Sequence, residues 1–329
     1  MTSGMSPGPT DEELLEVLAP ALELPITSFA RREFEYATSH PLEELRIGLS
    51  DGRTIEVILK DLAWERLLPD ARRSEPRTFF DPRRCVEIQR VLLDPWAVGP
   101  RCYAAVADAT IGRYWLLLEK VPGVPLWQVG ELERWVEVAR WLAAFHSMSS
   151  SEDVLELALP ARLVRYDRQV FVATADRALA ALRHLPEDRG GLLLALMDGY
   201  EEVVVGLETD APRFVHGEFF ASNILVVPST APMRVCPIDW EMAGVGPPLL
   251  DLAALTAGWD GGSRSRMVAA YAGSLAPTLD PRQLTQSLLR CRMHLALQWI
   301  GWADDWTPPD AHARDWIGEA MDVGKGLGL

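Results

Sequence analysis

Apolar residues recur at two different periods along this chain, and the change of period divides it. Asp11 to Leu22 opens with acids and then repeats apolar residues at helical spacing, which predicts a short helix. Residues 33 to 60 follow a strand pattern. Leu45-Arg46-Ile47-Gly48-Leu49 runs into Ser50-Asp51-Gly52-Arg53, a hairpin turn, and Thr54 to Lys60 continues as a β-rich strand. Residues 81 to 93 predict a helix, with Asp81 as N-cap and Pro82 at the first helical position. Residues 103–107 and 115–118 predict two more strands. Pro122-Gly123 and Pro125 then break the pattern. Beyond them Leu132, Val136, Ala139, Leu142, Ala143 and His146 share one helical face. Helical stretches fill 161–200, two β-like runs interrupt within 213–240, and helices resume from 251 to about 320. The pattern predicts an α+β fold, with residues 1–121 as a small β-rich lobe and 122–329 as a larger helical lobe.

Composition narrows the function. Apolar residues make up 48% and charged residues 24%, enough apolar content for a globular core. The net charge of -15 argues against nucleic acid, whose phosphates need clustered Lys and Arg, and favours a cationic partner. Cys85, Cys102, Cys236 and Cys291 lie far apart with no C-x-x-C pair, so neither a zinc site nor a disulfide framework is expected. The N-terminus lacks the basic and apolar regions of a signal peptide, and no apolar run approaches a membrane span. A cytoplasmic protein that engages no membrane is expected. The oligomeric state is open.

The chemistry concentrates in His216-Gly217-Glu218-Phe219-Phe220-Ala221-Ser222-Asn223 and in Cys236-Pro237-Ile238-Asp239-Trp240-Glu241. A kinase catalytic loop has a carboxylate, four spacers, then Asn, and later an Asp that holds the metal; Glu218, Asn223 and Asp239 have that order and spacing. A transferring phosphoryl group needs Mg²⁺ on its oxygens, and hard oxygen donors such as Asn223 and Asp239 suit Mg²⁺. A separate carboxylate, Glu218, must face the incoming hydroxyl and accept its proton.

These motifs resemble the aminoglycoside phosphotransferase and choline kinase family, a branch of the two-lobed protein-kinase-like fold. The family's loop reads His-Gly-Asp, four residues, Asn. Its metal segment is similar to Ile238-Asp239-Trp240-Glu241, Gly246-Pro247-Pro248 and Asp251-Leu252-Ala253, and its hinge to Leu116 through Leu126. The helix ending Trp141-Leu142-Ala143-Ala144-Phe145-His146 also matches, so the resemblance covers roughly residues 45 to 305. It implies ATP and Mg²⁺ as cofactors and a small-molecule hydroxyl as acceptor. By resemblance Lys60 clamps the α- and β-phosphates, with Glu87 as its ion-pair partner, and the backbone of Glu119 to Val121 meets adenine. Asp251 supports the catalytic loop through His216 or the loop amides.

Two departures stand out. Glu218 replaces the family's Asp and is one methylene longer. The loop Tyr36-Ala37-Thr38-Ser39-His40-Pro41 has no glycine, which leaves Ser39 or Thr38 to offer a hydroxyl or amide to phosphate, or the loop to be a plain turn. Near the C-terminus Trp259, Asp260, Trp299, Trp302, Asp304, Asp305 and Trp306 combine aromatic faces with carboxylates. Asp260, Asp304 and Asp305 are candidates to bind a cationic, amine-bearing acceptor; the tryptophans are also spaced for helix packing. A Ser/Thr peptide acceptor, or nucleotide binding without turnover, stand as the alternatives.

Overall fold

The computed structural model describes residues 8–34, 39–74, 80–148, 156, 162–181, 187–275, 280–302 and 314–329. The chain divides into two compact units. One comprises Met1–Gly123, Pro160–Arg162 and Cys236–Glu241; the other comprises Val124–Leu159, Leu163–Val235 and Met242–Leu329. Thr38 and its neighbours Tyr36 and Ala37, and also Asp304, Asp305 and Trp306, lie outside the described residues.

The first unit is a five-stranded antiparallel sheet in the order β1-β2-β3-β5-β4. Its strands are β1 (Ile26–Glu33), β2 (Leu42–Leu49), β3 (Thr54–Asp61), β4 (Cys102–Asp108) and β5 (Arg113–Glu119). Strand β1, at the sheet edge, is not legible in the sequence. Its burial alternates only weakly, because Arg31 and Arg32 reach out to Glu43 and Glu44 rather than into a core. Helix α1 (Asp11–Leu18) starts on a capping box formed by Thr10 and Glu13. It buries Leu14 and Leu18 completely against Leu45, Ile47, Val57, Leu59, Trp115 and Leu117. Full burial of such a side chain stabilises by about 2 kcal/mol.

The two-residue period of β3 and β5 sends Lys60 and Leu116 to the opposite face. There helix α3 (Pro82–Ile88) packs Cys85 and Val86 on Leu62 and Leu116; α2 is the short helix Pro69–Ser74. Asp81 caps α3 by accepting from the Arg83 N–H. The expected helix over 81–93 is α-helical only to Ile88 and passes through a wider π turn at Gln89–Leu93.

The second unit is mainly helical. Helix α4 (Leu132–Ser147) buries Val136, Ala139, Leu142, Ala143 and His146, the face read from the sequence. The helices α5 (Arg168–Ala181), α6 (Glu187–Met197), α7 (Tyr200–Thr209), α8 (Leu249–Thr256), α9 (Gly261–Ala272), α10 (Pro281–Trp302) and α11 (Trp316–Leu327) complete it. Helix α10 is the spine, packing on α5, α8 and α11, while α9 packs on α4. Short strands hold the loop at residues 216–223. The strand β6 (Val124–Pro125) pairs with β9 (Ile224–Val227), and β11 (Gly244–Gly246) pairs with β7 (Val164–Arg165) and β8 (Arg213–Val215). Strand β10 (Arg234–Pro237) leads the chain into Cys236–Glu241. No helix among the described residues is long and apolar enough to cross a membrane.

Candidate active site

Lys60 leaves the α3 face of β3 and donates to two carboxylates. Its Nζ lies 2.6 Å from Asp239 Oδ1 and 2.6 Å from Glu241 Oε1. Burial alone would push the ammonium down, but Asp239 and Glu241 overcome it and hold Lys60 above its ordinary value. Burial likewise opposes ionisation of Glu241, yet Lys60 and His40 hold its carboxyl well below the usual carboxylate range. His40, 1% exposed, brings Nδ1 to 3.2 Å from Glu241, and Ser39 Oγ makes a longer contact of 3.4 Å to the same oxygen. Arg84 of α3 anchors the segment by donating to the Glu241 carbonyl (2.5 Å) and the Arg162 carbonyl (2.8 Å). Asp239 has φ +66°, an uncommon conformation for a residue with a side chain and one often found where function demands it.

Glu87 is not the partner of Lys60. It pairs with Arg90 at 3.5 Å on the outer side of the helix. The reason is helical phase. Buried Cys85 is the α3 residue whose thiol feels the charges of Glu241, Lys60 and Asp239, and burial first of all pushes that thiol up. Glu87, two residues on, is turned about 200° away. The sequence motifs contain Glu241 without assigning it a role; its signal is its position two residues after Asp239. In the hinge, the Glu119 N–H is committed to the Arg101 carbonyl (2.7 Å), and the buried Val121 accepts from the Gly123 N–H (2.8 Å).

In the second unit the loop after β8 is built on Asp251 of α8. The carboxylate is fully buried and accepts from the backbone N–H groups of His216 (2.7 Å) and Gly217 (2.9 Å). The His146 ring bridges Asp251 (3.1 Å) and the Tyr271 hydroxyl (2.8 Å). His216 is buried and accepts from the Glu218 N–H at 3.3 Å. Gly217 has φ +83°, and a Cβ there would meet the Met242 carbonyl and the Tyr166 hydroxyl at 2.3 Å, so the middle position of His-Gly-Glu requires glycine.

Beyond Glu218 the loop closes on itself. The Phe220 N–H donates to the Glu218 carbonyl (2.7 Å), the Asn223 N–H donates to the Phe220 carbonyl (2.8 Å), and Asn223 Nδ2 donates to the Glu218 carbonyl (3.1 Å). With its nitrogen committed, Asn223 is left Oδ1, whose contact is a long one to the Ser222 hydroxyl (3.4 Å). A carboxamide oxygen is a hard donor of the kind Mg²⁺ takes, and so is the Asp239 carboxylate.

Phe220 packs edge-on to Trp299, which stacks on Trp316 and meets Trp302, while Trp259 packs on Trp135. Asp260 has a different place from the one expected. It is the N-cap of α9, accepting from the N–H groups of Gly262 and Ser263 and from the Ser263 hydroxyl. Three donors occupy its oxygens, and the Asp-Gly-Gly-Ser sequence was the signal for a cap.

The sequence model of the phosphotransferase enzyme family matches residues 59–284, more than half of the chain, so the chain belongs to that family. It is a phosphotransferase acting on hydroxyl groups. No curated protein matches it. The fold is that of the protein-kinase-like phosphotransferases. The wild-type aminoglycoside 2'-phosphotransferase-IIIa, solved as its GDP complex, superposes with a TM-score of 0.58 at 14% identity, covering 97% of this chain and 98% of its own. A choline kinase from Streptococcus pneumoniae gives 0.58 at 13% identity, covering 97% of this chain and 98% of its own. A microcompartment-associated aminopropanol kinase gives 0.60 at 14% identity, covering 96% and 95%.

Proposed function

We propose that the chain transfers the γ-phosphoryl group of ATP, with Mg²⁺, to a hydroxyl of a small molecule. The observation that carries this is the ion pair of Lys60 with Asp239: the strand lysine and the metal-segment aspartate lie 2.6 Å apart although 179 residues separate them. Lys60 binds the α- and β-phosphates, and the backbone of Glu119 to Val121 receives the adenine. Asn223 and Asp239 hold the metal, which when bound neutralises charge on the phosphate oxygens. Glu218 orients the acceptor hydroxyl and takes its proton. His216 and Asp251 fix the loop that presents Glu218, so that little reorganisation is left to the reaction itself.

Nucleotide binding is supported by solved relatives that hold GDP and AMP. The solved structures it resembles are named for aminoglycosides, choline, ethanolamine and aminopropanol, all of them alcohols with an amine or a quaternary ammonium group, and these are the first acceptors to try. The test is incubation with Mg-ATP and a panel of amine-bearing alcohols and hydroxy amino acids, with mass detection of the acceptor. A phosphoryl gain on one hydroxyl supports the function. Tight Mg-ATP binding with no acceptor modified would leave a nucleotide-binding protein without turnover.

A further inference from the structure

The pairing of β2, β3 and β5 sorts their side chains onto two faces of the first unit's sheet. Leu45, Val57, Leu59 and Leu117 turn toward α1. Lys60 turns to the other face, where its cross-strand neighbours are Leu42 on β2 and Leu116 on β5. Two residues back along β3, the next row on that face is Glu44, Ile58 and Leu118, and beyond it come Arg46 and Glu56. Successive rows lie about 6.6 Å apart. The Lys120 N–H donates to the Glu56 carbonyl at 3.1 Å, so the hinge meets the sheet at that third row. Glu44 is thus an acid in an otherwise apolar row, midway between the strand lysine and the hinge.

Glu44 is 4% exposed. Its Oε2 lies 2.7 Å from Arg32 Nη2 and 2.9 Å from Lys120 Nζ. Lys120 follows β5, which neighbours β3 and not β2. Its side chain therefore crosses the Lys60 face of β3 to reach Glu44, meeting Glu56 at 3.3 Å. Both cations sit on the same oxygen. Oε1 has no hydrogen bond among the described residues, and it is not sealed from solvent. An ionised carboxylate only accepts, so Oε1 is open to a donor from outside the unit. Two cations already offset its charge, so a neutral N–H or O–H suits it better than a third cation or a metal ion.

We propose that Glu44 reads the nucleoside part of the nucleotide, its Oε1 accepting a hydrogen bond from the amino group of the base or from a ribose hydroxyl. The inference rests on the nucleotide reading above, in which Lys60 takes the phosphates and the backbone of Glu119 to Val121 takes the base. A nucleotide laid from the one to the other passes over the row of Glu44, Ile58 and Leu118. Ile58 and Leu118 offer it apolar contact, and Glu44 is the side-chain acceptor in that row. Both candidate donors are neutral, as two cations on Oε2 require. Arg32 and Lys120 fix the carboxylate before the nucleotide arrives, so little ordering is left to binding.

The test is calorimetric titration of the full chain, without acceptor, by the magnesium complexes of ATP, purine riboside triphosphate and dideoxy-ATP. The second lacks the amino group of the base, and the third lacks both ribose hydroxyls. Each protein is scored by the ratio of its affinity for ATP to that for each analogue, so a general weakening of nucleotide binding cancels. Glu44→Gln keeps the shape, but Arg32 and Lys120 claim the amide oxygen and turn the NH2 group to where Oε1 was, donor against donor. Glu44→Leu removes the acceptor outright. In both variants the preference for ATP over one of the two analogues should fall by about ten- to a hundredfold, the worth of one charge-assisted hydrogen bond, and that analogue identifies the donor. Glu43→Gln, one position away on the opposite face and paired with Arg31, should keep the ratios of the parent. A parent that binds both analogues as tightly as ATP, or Glu44 variants that keep its ratios, overturns the inference. A chain that binds ATP with ratios indifferent to Glu44 leaves the proposed function standing, whereas one that binds no nucleotide contradicts that function and this inference together.

Discussion

Lys60 Nζ lies as close to Glu241 as to Asp239, 2.6 Å from each, so the strand lysine is oriented by the segment Cys236–Glu241 and not by a helix glutamate. Glu241→Gln should lower kcat/KM for Mg-ATP by about ten- to a hundredfold, through loss of one charge-assisted hydrogen bond. Glu87→Gln should stay within about twofold, since among the described residues Glu87 pairs with the half-exposed Arg90 alone. Steady-state kinetics of the two variants, varied in Mg-ATP, decide between them. The opposite ranking would return the role to the helix.

Asp251 holds the loop after β8 from inside the second unit. Its carboxylate takes the N–H groups of His216 and Gly217 and the ring of His146, all with no solvent exposure at the acceptor. Asp251→Ala removes one side of a buried, charged network and should cost about 3 kcal/mol or more of unfolding free energy in urea. Asp251→Asn keeps the volume but brings an N–H group to face two backbone N–H donors, and it should recover only part of that loss.

His294 of α10 gives a pH signature independent of the site. Burial against Phe171 depresses it from 6.5 to about 4, and its Nδ1 has no hydrogen-bond partner. Between these values the unfolded chain binds a proton that the folded chain does not. Stability is therefore fully present above pH 6.5 and falls as pH drops toward 4, by about 3 kcal/mol. Urea unfolding across this interval should show the decline in the parent. In His294→Leu the decline should be shallower by that amount, with other carboxylates cancelling in the difference.

Candidate residues are legible where chemistry is written as local spacing. Glu218, Asn223, Asp239 and Asp251 lie in short motifs, so order and spacing single them out, and the hydrogen bonds between Glu218 and Asn223 are local ones, whereas those from Asp251 to His216 and Gly217 reach across 35 and 34 positions. Glu241 was in view but its partner was not, because β3 and the metal segment are far apart in the chain. Glu87 was misassigned because residue type was weighed without helical phase, which turns Cys85 inward instead. Asp260 was misread because a cap and a ligand use the same side chain; the two glycines and serine after it decide for the cap. Strand β1 escaped notice because an edge strand needs no alternating core face.

Glu218 is where the central claim is most exposed. The motif resemblance sets it against an aspartate, one methylene shorter, and a displacement of about an ångström can cost on the order of 10²-fold in rate. Glu218→Asp should therefore lose activity if the loop is shaped around the longer side chain, and gain it if the loop still suits aspartate.

The most direct measurement is the rate at which label passes from γ-labelled ATP to a pool of hydroxyl acceptors, compared between the parent and Glu218→Gln in the presence of Mg²⁺. Mg-ATP affinity is measured on the same preparations. The parent should transfer label to a hydroxyl. The variant should transfer it roughly 10²- to 10⁴-fold more slowly, the usual worth of general base catalysis, with its Mg-ATP affinity unchanged. Equal rates in the two proteins, or a parent that binds Mg-ATP and labels no hydroxyl, would contradict the account.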